Sequence, residues 1–232
     1  MSRLLRSREE KILRAVSRYK FLTSTQIREI TGINRKQNCN PACKTLVERG
    51  LLQYVDGERK RDHVYYLMKK GHSFISTNFP DLPWILYSKN RVDYQSDFLF
   101  TSRARTRDVI IALEKRLDIK GIEYEAKIDY GQGNLQADAI IHTEKRLWVV
   151  EYQHSHKPDH VVKKIANYNK AFHIGNPSKQ YGYRGHANVL HVMSEQTTID
   201  NVMNKLRADP AYSPFTNLHG FQLYGSNIVA SV

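Results

Sequence analysis

Long apolar runs are missing from this chain of 232 residues. No stretch approaches the roughly 18 consecutive apolar residues of a membrane helix, which excludes a protein that spans a bilayer by helices. Cysteine is scarce, with two residues, so a disulfide framework is excluded and the reducing cytoplasm is the expected compartment. Twelve glycines and seven prolines are too few for collagenous or low-complexity sequence. The balance of 41% hydrophobic and 25% charged residues is that of a chain that buries a core. Glu9-Glu10-Lys11 stands where an apolar segment would follow the basic start of a secretory leader, and no leader is expected. Acidic residues are the last shortage: 23 Asp and Glu face 36 Lys and Arg, for a net charge of +13.

That excess is lopsided. Residues 1–120 carry 25 basic and 13 acidic side chains, whereas residues 121–232 carry 11 and 10. A one-sided surplus suits a polyanion-binding face, because each phosphate neutralised releases condensed counterions. No basic amphipathic anchor accompanies it, so double-stranded DNA and not a membrane is the expected partner.

The first 75 residues read as a DNA-binding module. Ser7-Arg8-Glu9-Glu10 has the form of a capping box ahead of Ile12, Leu13, Val16 and Tyr19 at helical spacing. Thr23-Ser24-Thr25-Gln26 repeats the signal for a short second helix that ends at Gly32. Asn40 and Pro41 open a third, with Cys43, Leu46 and Val47 inward and Lys44, Thr45 and Glu48 outward. Two strands, Leu51 to Val55 and His63 to Leu67, then flank an Asp56-Gly57 turn with the basic tip Glu58-Arg59-Lys60-Arg61. Three short helices and a basic-tipped hairpin resemble the winged helix-turn-helix, with "TLVERGLLQYV" as its third helix running into the wing. The resemblance implies that the third helix enters the major groove, with Arg35, Lys36, Lys44 and Thr45 at the DNA and Arg59, Lys60 and Arg61 on phosphates. Cys39 and Cys43 have the spacing of two zinc ligands, but two more are missing nearby, and a buried Cys43 with an incidental Cys39 is the reading.

Residues 76–100 read as a linker, and 101–232 as a second domain. Its first helix, Asp108 to Leu117, is preceded by Arg103, Arg105 and Arg107, which could extend the phosphate-binding surface. Three strands follow (Ile122 to Tyr130, Ala137 to Thr143, Arg146 to Gln153), then a helix from Pro158 to Phe172, a strand, a helix and a last strand. Centring the second hairpin on Glu144-Lys145 makes every cross-strand pair sum to 289, which sets Asp138 opposite Glu151. Paired carboxylates destabilise a sheet unless a cation or proton lies between them. Their hard oxygens suit magnesium or manganese. Gln153 shares their face.

Here "ADAIIHTEKRLWVVEYQ" resembles the PD-(D/E)xK nucleases, with Asp138 and Glu151 as the acidic pair and Gln153 where the family has lysine. The resemblance implies metal ligation by Asp138 and Glu151, with Lys157 or Lys164 supplying the missing positive charge. The class expected is α/β (α+β): a winged helix-turn-helix followed by an αβββαβ restriction-endonuclease-like domain. The two halves together resemble the plasmid replication-relaxation proteins and the MobC-type relaxases. That likeness implies duplex binding in plasmid or mobile-element replication or mobilisation, nicking with Mg2+ or Mn2+, and other plasmid-processing proteins as partners. The rival is a DNA-binding regulator whose inactive nuclease-like domain serves as a homodimer contact. His154-Ser155-His156 resembles the two-histidine motif of tyrosine relaxases, with a tyrosine such as Tyr94 as nucleophile, but a polar loop is the better reading. Gly131-Gln132-Gly133-Asn134 is read as a turn between strands, since no helix opens after it.

Overall fold

The computed structural model describes residues 5–33, 35–56, 63–80, 82, 97–153, 157–208, 218–225 and 229–231. Two compact units divide between Ile111 and Ala112. The wing tip with Arg59, Lys60 and Arg61, most of the linker with Tyr94, and His154 to His156 lie outside the described residues.

The first unit holds α1 (Ser7–Tyr19), β1 (Phe21–Thr23), α2 (Ser24–Thr31), α3 (Lys36–Glu48), β2 (Leu52–Asp56), β3 (His63–Leu67), α4 (Lys69–Asn78) and most of α5 (Asp97–Glu114). Thr23 caps α2 as its sequence suggests: its hydroxyl accepts from Gln26 N–H at 3.1 Å while the Gln26 amide oxygen accepts from Thr23 N–H at 2.9 Å. Gly32 ends that helix at φ +67°. Two expected starts shift. The cap of α1 is Arg6, whose backbone N–H donates to Glu9 at 3.0 Å, and not Ser7. Helix α3 begins at Lys36, so Pro41 lies inside it and not at its first position.

The strands form an antiparallel sheet in the order β1-β3-β2, Tyr54 facing Tyr65. Ile12, Leu13 and Val16 of α1, Ile27 of α2, and Cys39, Cys43 and Leu46 of α3 are buried with Leu22, Leu52 and Leu67 of the sheet. Cys39 is thus as buried as Cys43, and their sulfurs lie 4.0 Å apart. Neither β1 nor α4 is expected from the sequence. Helix α4 packs so tightly that a Cβ on Gly71 would stand 2.0 Å from the Leu51 carbonyl oxygen.

Helix α5 starts eleven residues ahead of its expected beginning at Asp108, and through Ile111 it belongs to the first unit. Ala104 packs on Phe21, Val64 and Tyr66 of the sheet. Arg107 is 1% exposed: its Nε donates to Tyr19 O at 3.0 Å, its Nη1 to Arg103 O at 2.8 Å, and its guanidinium lies 3.3 Å from the Phe21 ring centre. Reading Arg107 as a phosphate contact is therefore corrected, because a buried guanidinium that holds helix to strand reaches no DNA. Arg107→Ala is expected to lower the stability of the protein by about 2–3 kcal/mol in urea unfolding, since a buried charged hydrogen bond and a cation–π contact both go.

The second unit is a six-stranded sheet in the order β4-β5-β6-β7-β8-β9. Its strands are β4 (Ile119–Asp129), β5 (Asn134–Thr143), β6 (Leu147–Gln153), β7 (Asn188–Met193), β8 (His219–Leu223) and β9 (Val229–Ser231). Strands β6, β7 and β8 run parallel through the crossover helices α6 (Pro158–Ile174) and α7 (Gln196–Ala208). Ile165 and Phe172 of α6 and Val202 and Leu206 of α7 pack on one face of the sheet, over Leu147, Val149, Val189, Met193 and Phe221. The element order matches the expected one up to β8 except for a short 3-10 helix, Pro177–Tyr181, between α6 and β7, and β9 is additional.

Candidate nucleic-acid interface and active site

On α3, positions four apart line up, so Lys36, Asn40, Lys44 and Glu48 form one exposed stripe. Arg35 is exposed at the cap, Lys44 stands 3.8 Å from Glu48, and half-buried Thr45 donates its hydroxyl to Pro41 O at 3.0 Å. Beside the helix, a cleft of about 230 Å3 is lined by Arg6, Arg8, Gln37, Asn38 and Thr45. Arg6 and Arg8 have no periodic or motif signal, and only the fold places them next to α3. On the other flank runs a groove toward the β2–β3 hairpin. Arg103 and Arg105 are half-buried on α5.

In the second unit the register follows the sum derived from sequence: Ala139 faces Val150, Ile140 faces Val149 and Ile141 faces Trp148. The paired ladder ends there; Asp138 is the next residue of β5, its Oδ2 accepts from the Tyr152 N–H at 2.8 Å, and its charge acts on Glu151. On the far side of β5, Tyr124 faces Ala139 and Ala126 faces Ala137, which puts Glu125 opposite Asp138. Glu125 has φ +54°, a conformation that costs a non-glycine residue energy and recurs at functional sites.

Glu151 is 0% exposed. Lys164 Nζ donates to its Oε2 at 2.6 Å and the Tyr168 hydroxyl to its Oε1 at 2.6 Å. The spacing of four puts both donors on one face of α6. Burial pushes the Glu151 carboxyl up to about 7; Lys164 opposes the rise and Asp138 adds to it. Burial pulls the Lys164 ammonium down, but the Glu151 and Asp138 charges outweigh it and leave it above the ordinary lysine value. Burial raises the Tyr168 hydroxyl well above its usual value. Asp138, Glu151 and Lys164 thus feel one another's charge. Lys157 is exposed at the cap of α6.

Gln153 does not join them. Its amide nitrogen lies 3.4 Å from His191 Nδ1, His191 Nε2 lies 3.0 Å from His219 Nδ1, and His219 Nε2 lies 2.9 Å from Asn169 Oδ1. All four residues are buried, and the two imidazoles stack at 20° with centres 5.2 Å apart. Burial holds both histidines below the ordinary value, His219 at about 4, so the rings are neutral. This chain was not read from the sequence, where His191 and His219 each sit singly among apolar residues of short strands.

As for metal, no group of three or more His, Cys, Asp or Glu side chains that could hold an ion occurs among the described residues. Asp138 and Glu151 are hard oxygen donors of the type magnesium takes, and both Glu151 oxygens accept hydrogen bonds from Lys164 and Tyr168.

A comparison with curated proteins finds no match. Among solved structures, Can2 from Sulfobacillus thermosulfidooxidans, in complex with cyclic tetra-adenylate, is 10% identical at a TM-score of 0.33, over 85% of this chain and 45% of that one. The chain thus spans less than half the length of that protein. The archaeal chromatin protein TrmBL2 is 8% identical at a TM-score of 0.27, over 98% of this chain and 77% of that one. Scores this low carry no argument about the fold. The family model for replication-relaxation matches residues 13–186, well over half of the sequence. By that match the chain belongs to the replication-relaxation family.

Proposed function

We propose that this protein binds duplex DNA through a winged helix in its first unit and nicks or relaxes it with a PD-(D/E)xK-type second unit, in the replication or mobilisation of a plasmid or other mobile element. The observation that carries the reading is Lys164. Sequence leaves a glutamine at the lysine position of the motif, and α6 returns an ammonium group 2.6 Å from Glu151, beside Asp138. Asp138 and Glu151 would hold magnesium or manganese, which supplies the Lewis acid that polarises a phosphodiester and acidifies water. Lys164 would supply positive charge to a pentavalent phosphorane, and the Tyr168 hydroxyl holds Glu151 Oε1.

A second reading has its own observation. Glu151 is fully buried and both its oxygens already accept a hydrogen bond, as expected of an inactive nuclease-like domain in a DNA-binding regulator. Incubating supercoiled plasmid that carries the cognate origin, with and without manganese, separates the two. Nicked product in the metal lane alone supports the enzyme, and intact plasmid in both lanes supports the regulator.

The DNA face has a separate test. Lys36→Ala with Lys44→Ala should weaken duplex binding and lower the magnitude of the salt slope by up to about 1.8, if each lysine neutralises a phosphate. An unchanged slope would remove α3 from the interface.

A further inference from the structure

The groove between α3 and the β2–β3 hairpin has a volume of about 670 Å3, lined by Asn40, Lys44, Val47, Tyr54, His63 and Tyr65. That lies within the ~300–1,000 Å3 typical of small-molecule clefts. Its floor is aromatic. Tyr54 and Tyr65 are cross-strand partners with ring centres 5.9 Å apart, and His63 lies 4.5 Å from Tyr54 and 6.2 Å from Tyr65. Tyr54 is one of two large hydrophobic residues exposed among the described residues, at 43%. The hairpin ladder and its two ring neighbours hold it in place, so a ring face is offered to solvent at little further cost in side-chain entropy.

Among the described residues, the charged side chains on the lining are Lys44 and Glu48, 3.8 Å apart on the α3 wall, and the floor opposite them is aromatic. Arg6 and Arg8 lie in the cleft on the opposite flank of α3. A π-face needs no charge: every base presents one, and aromatic side chains bind single strands by stacking. We propose that this groove accepts an unpaired nucleobase stacked on Tyr54, so that the first unit reads a single strand as well as a duplex. The proposal rests on the reading of that unit as a DNA binder and adds a second substrate form to it.

The test uses the full-length protein with a labelled oligodeoxythymidylate, which forms no duplex, and a labelled duplex of equal length. Tyr54→Ala should weaken oligothymidylate binding roughly 5- to 150-fold, the range of one lost base stack. Its salt slope should not change, because stacking neutralises no phosphate. Tyr54→Phe should restore the affinity, duplex binding should survive in both variants, and thermal melts should match the wild type, since Tyr54 is exposed. The proposal is overturned if the wild type ignores the oligothymidylate, if Tyr54→Ala binds it unchanged, or if the variant loses duplex and single strand equally. A change in sedimentation without any change in DNA binding would also overturn it, by assigning the groove to a protein contact. Failure of the wild type to bind duplex would instead count against the DNA-binding reading itself.

Discussion

Lys164→Met is expected to cost the metal-free protein about 1.4 kcal/mol at about pH 8, the cost of protonating a carboxyl whose pKa is about 7, measured by urea unfolding. Among the described residues the ammonium of Lys164 is the only cation paired with Glu151, and the carboxylate has no exposure of its own. Removing it leaves a buried anion, held by the Tyr168 hydroxyl alone, that must stay ionised without a counter-charge or take up a proton. The loss should shrink below about pH 5, where the glutamic acid is neutral and needs no counter-charge. Removing the carboxylate in the same molecule should recover much of the stability, because Glu151→Gln with Lys164→Met leaves nothing to strand. Equal losses at both pH values would mean that Lys164 acts through packing and not as a counter-ion.

The second large effect is that of Glu151→Gln alone, and it separates stability from chemistry. A carboxyl raised from 4.5 to about 7 keeps a proton in the folded state that the unfolded chain has already released. Between those values stability falls as pH rises, by on the order of 3 kcal/mol from this group. Glutamine does not titrate. The metal-free variant should therefore match the wild type near pH 4.5 and gain on it steadily to about pH 8, with ~3 kcal/mol as the ceiling. Lys164 can tolerate the change because its side chain is 33% exposed and its stem can turn toward water. Metal-dependent nicking, if the site is catalytic, should fall on the order of 100-fold or more, with duplex affinity unchanged. A variant less stable than wild type at pH 8 would make Glu151 a structural partner first.

How far the sequence could be read follows from the range of the signals. Hairpin register is local arithmetic, so the sum of 289 follows from one turn and holds along the ladder from His142–Leu147 to Ala139–Val150. The cap of α2 is equally local, Thr23 and Gln26 being three residues apart. Choosing between Lys157 and Lys164 needed the helix itself. Both follow β6, but only the second stands four residues before Tyr168 on the side that faces the sheet. His191 and His219 could not be paired without the parallel β7–β8 ladder, which has no turn to count from. Arg107 misled for the opposite reason: a run of arginines reads as surface, and nothing nearby in sequence marks Tyr19 and Phe21 as its partners.

Helix α5 sets the limit of any attempt to excise the first unit. A fragment ended at residue 75 would cut α4 short of Asn78 and expose the side of Phe21, Val64 and Tyr66 that Ala104 covers. It would also leave the Gln26 amide without Ala104 O and Asp108, and the Tyr19 carbonyl without Arg107. The module is therefore not a portable cassette at its apparent sequence boundary; a stable stand-alone version has to carry the chain through Ile111, in the middle of a continuous helix.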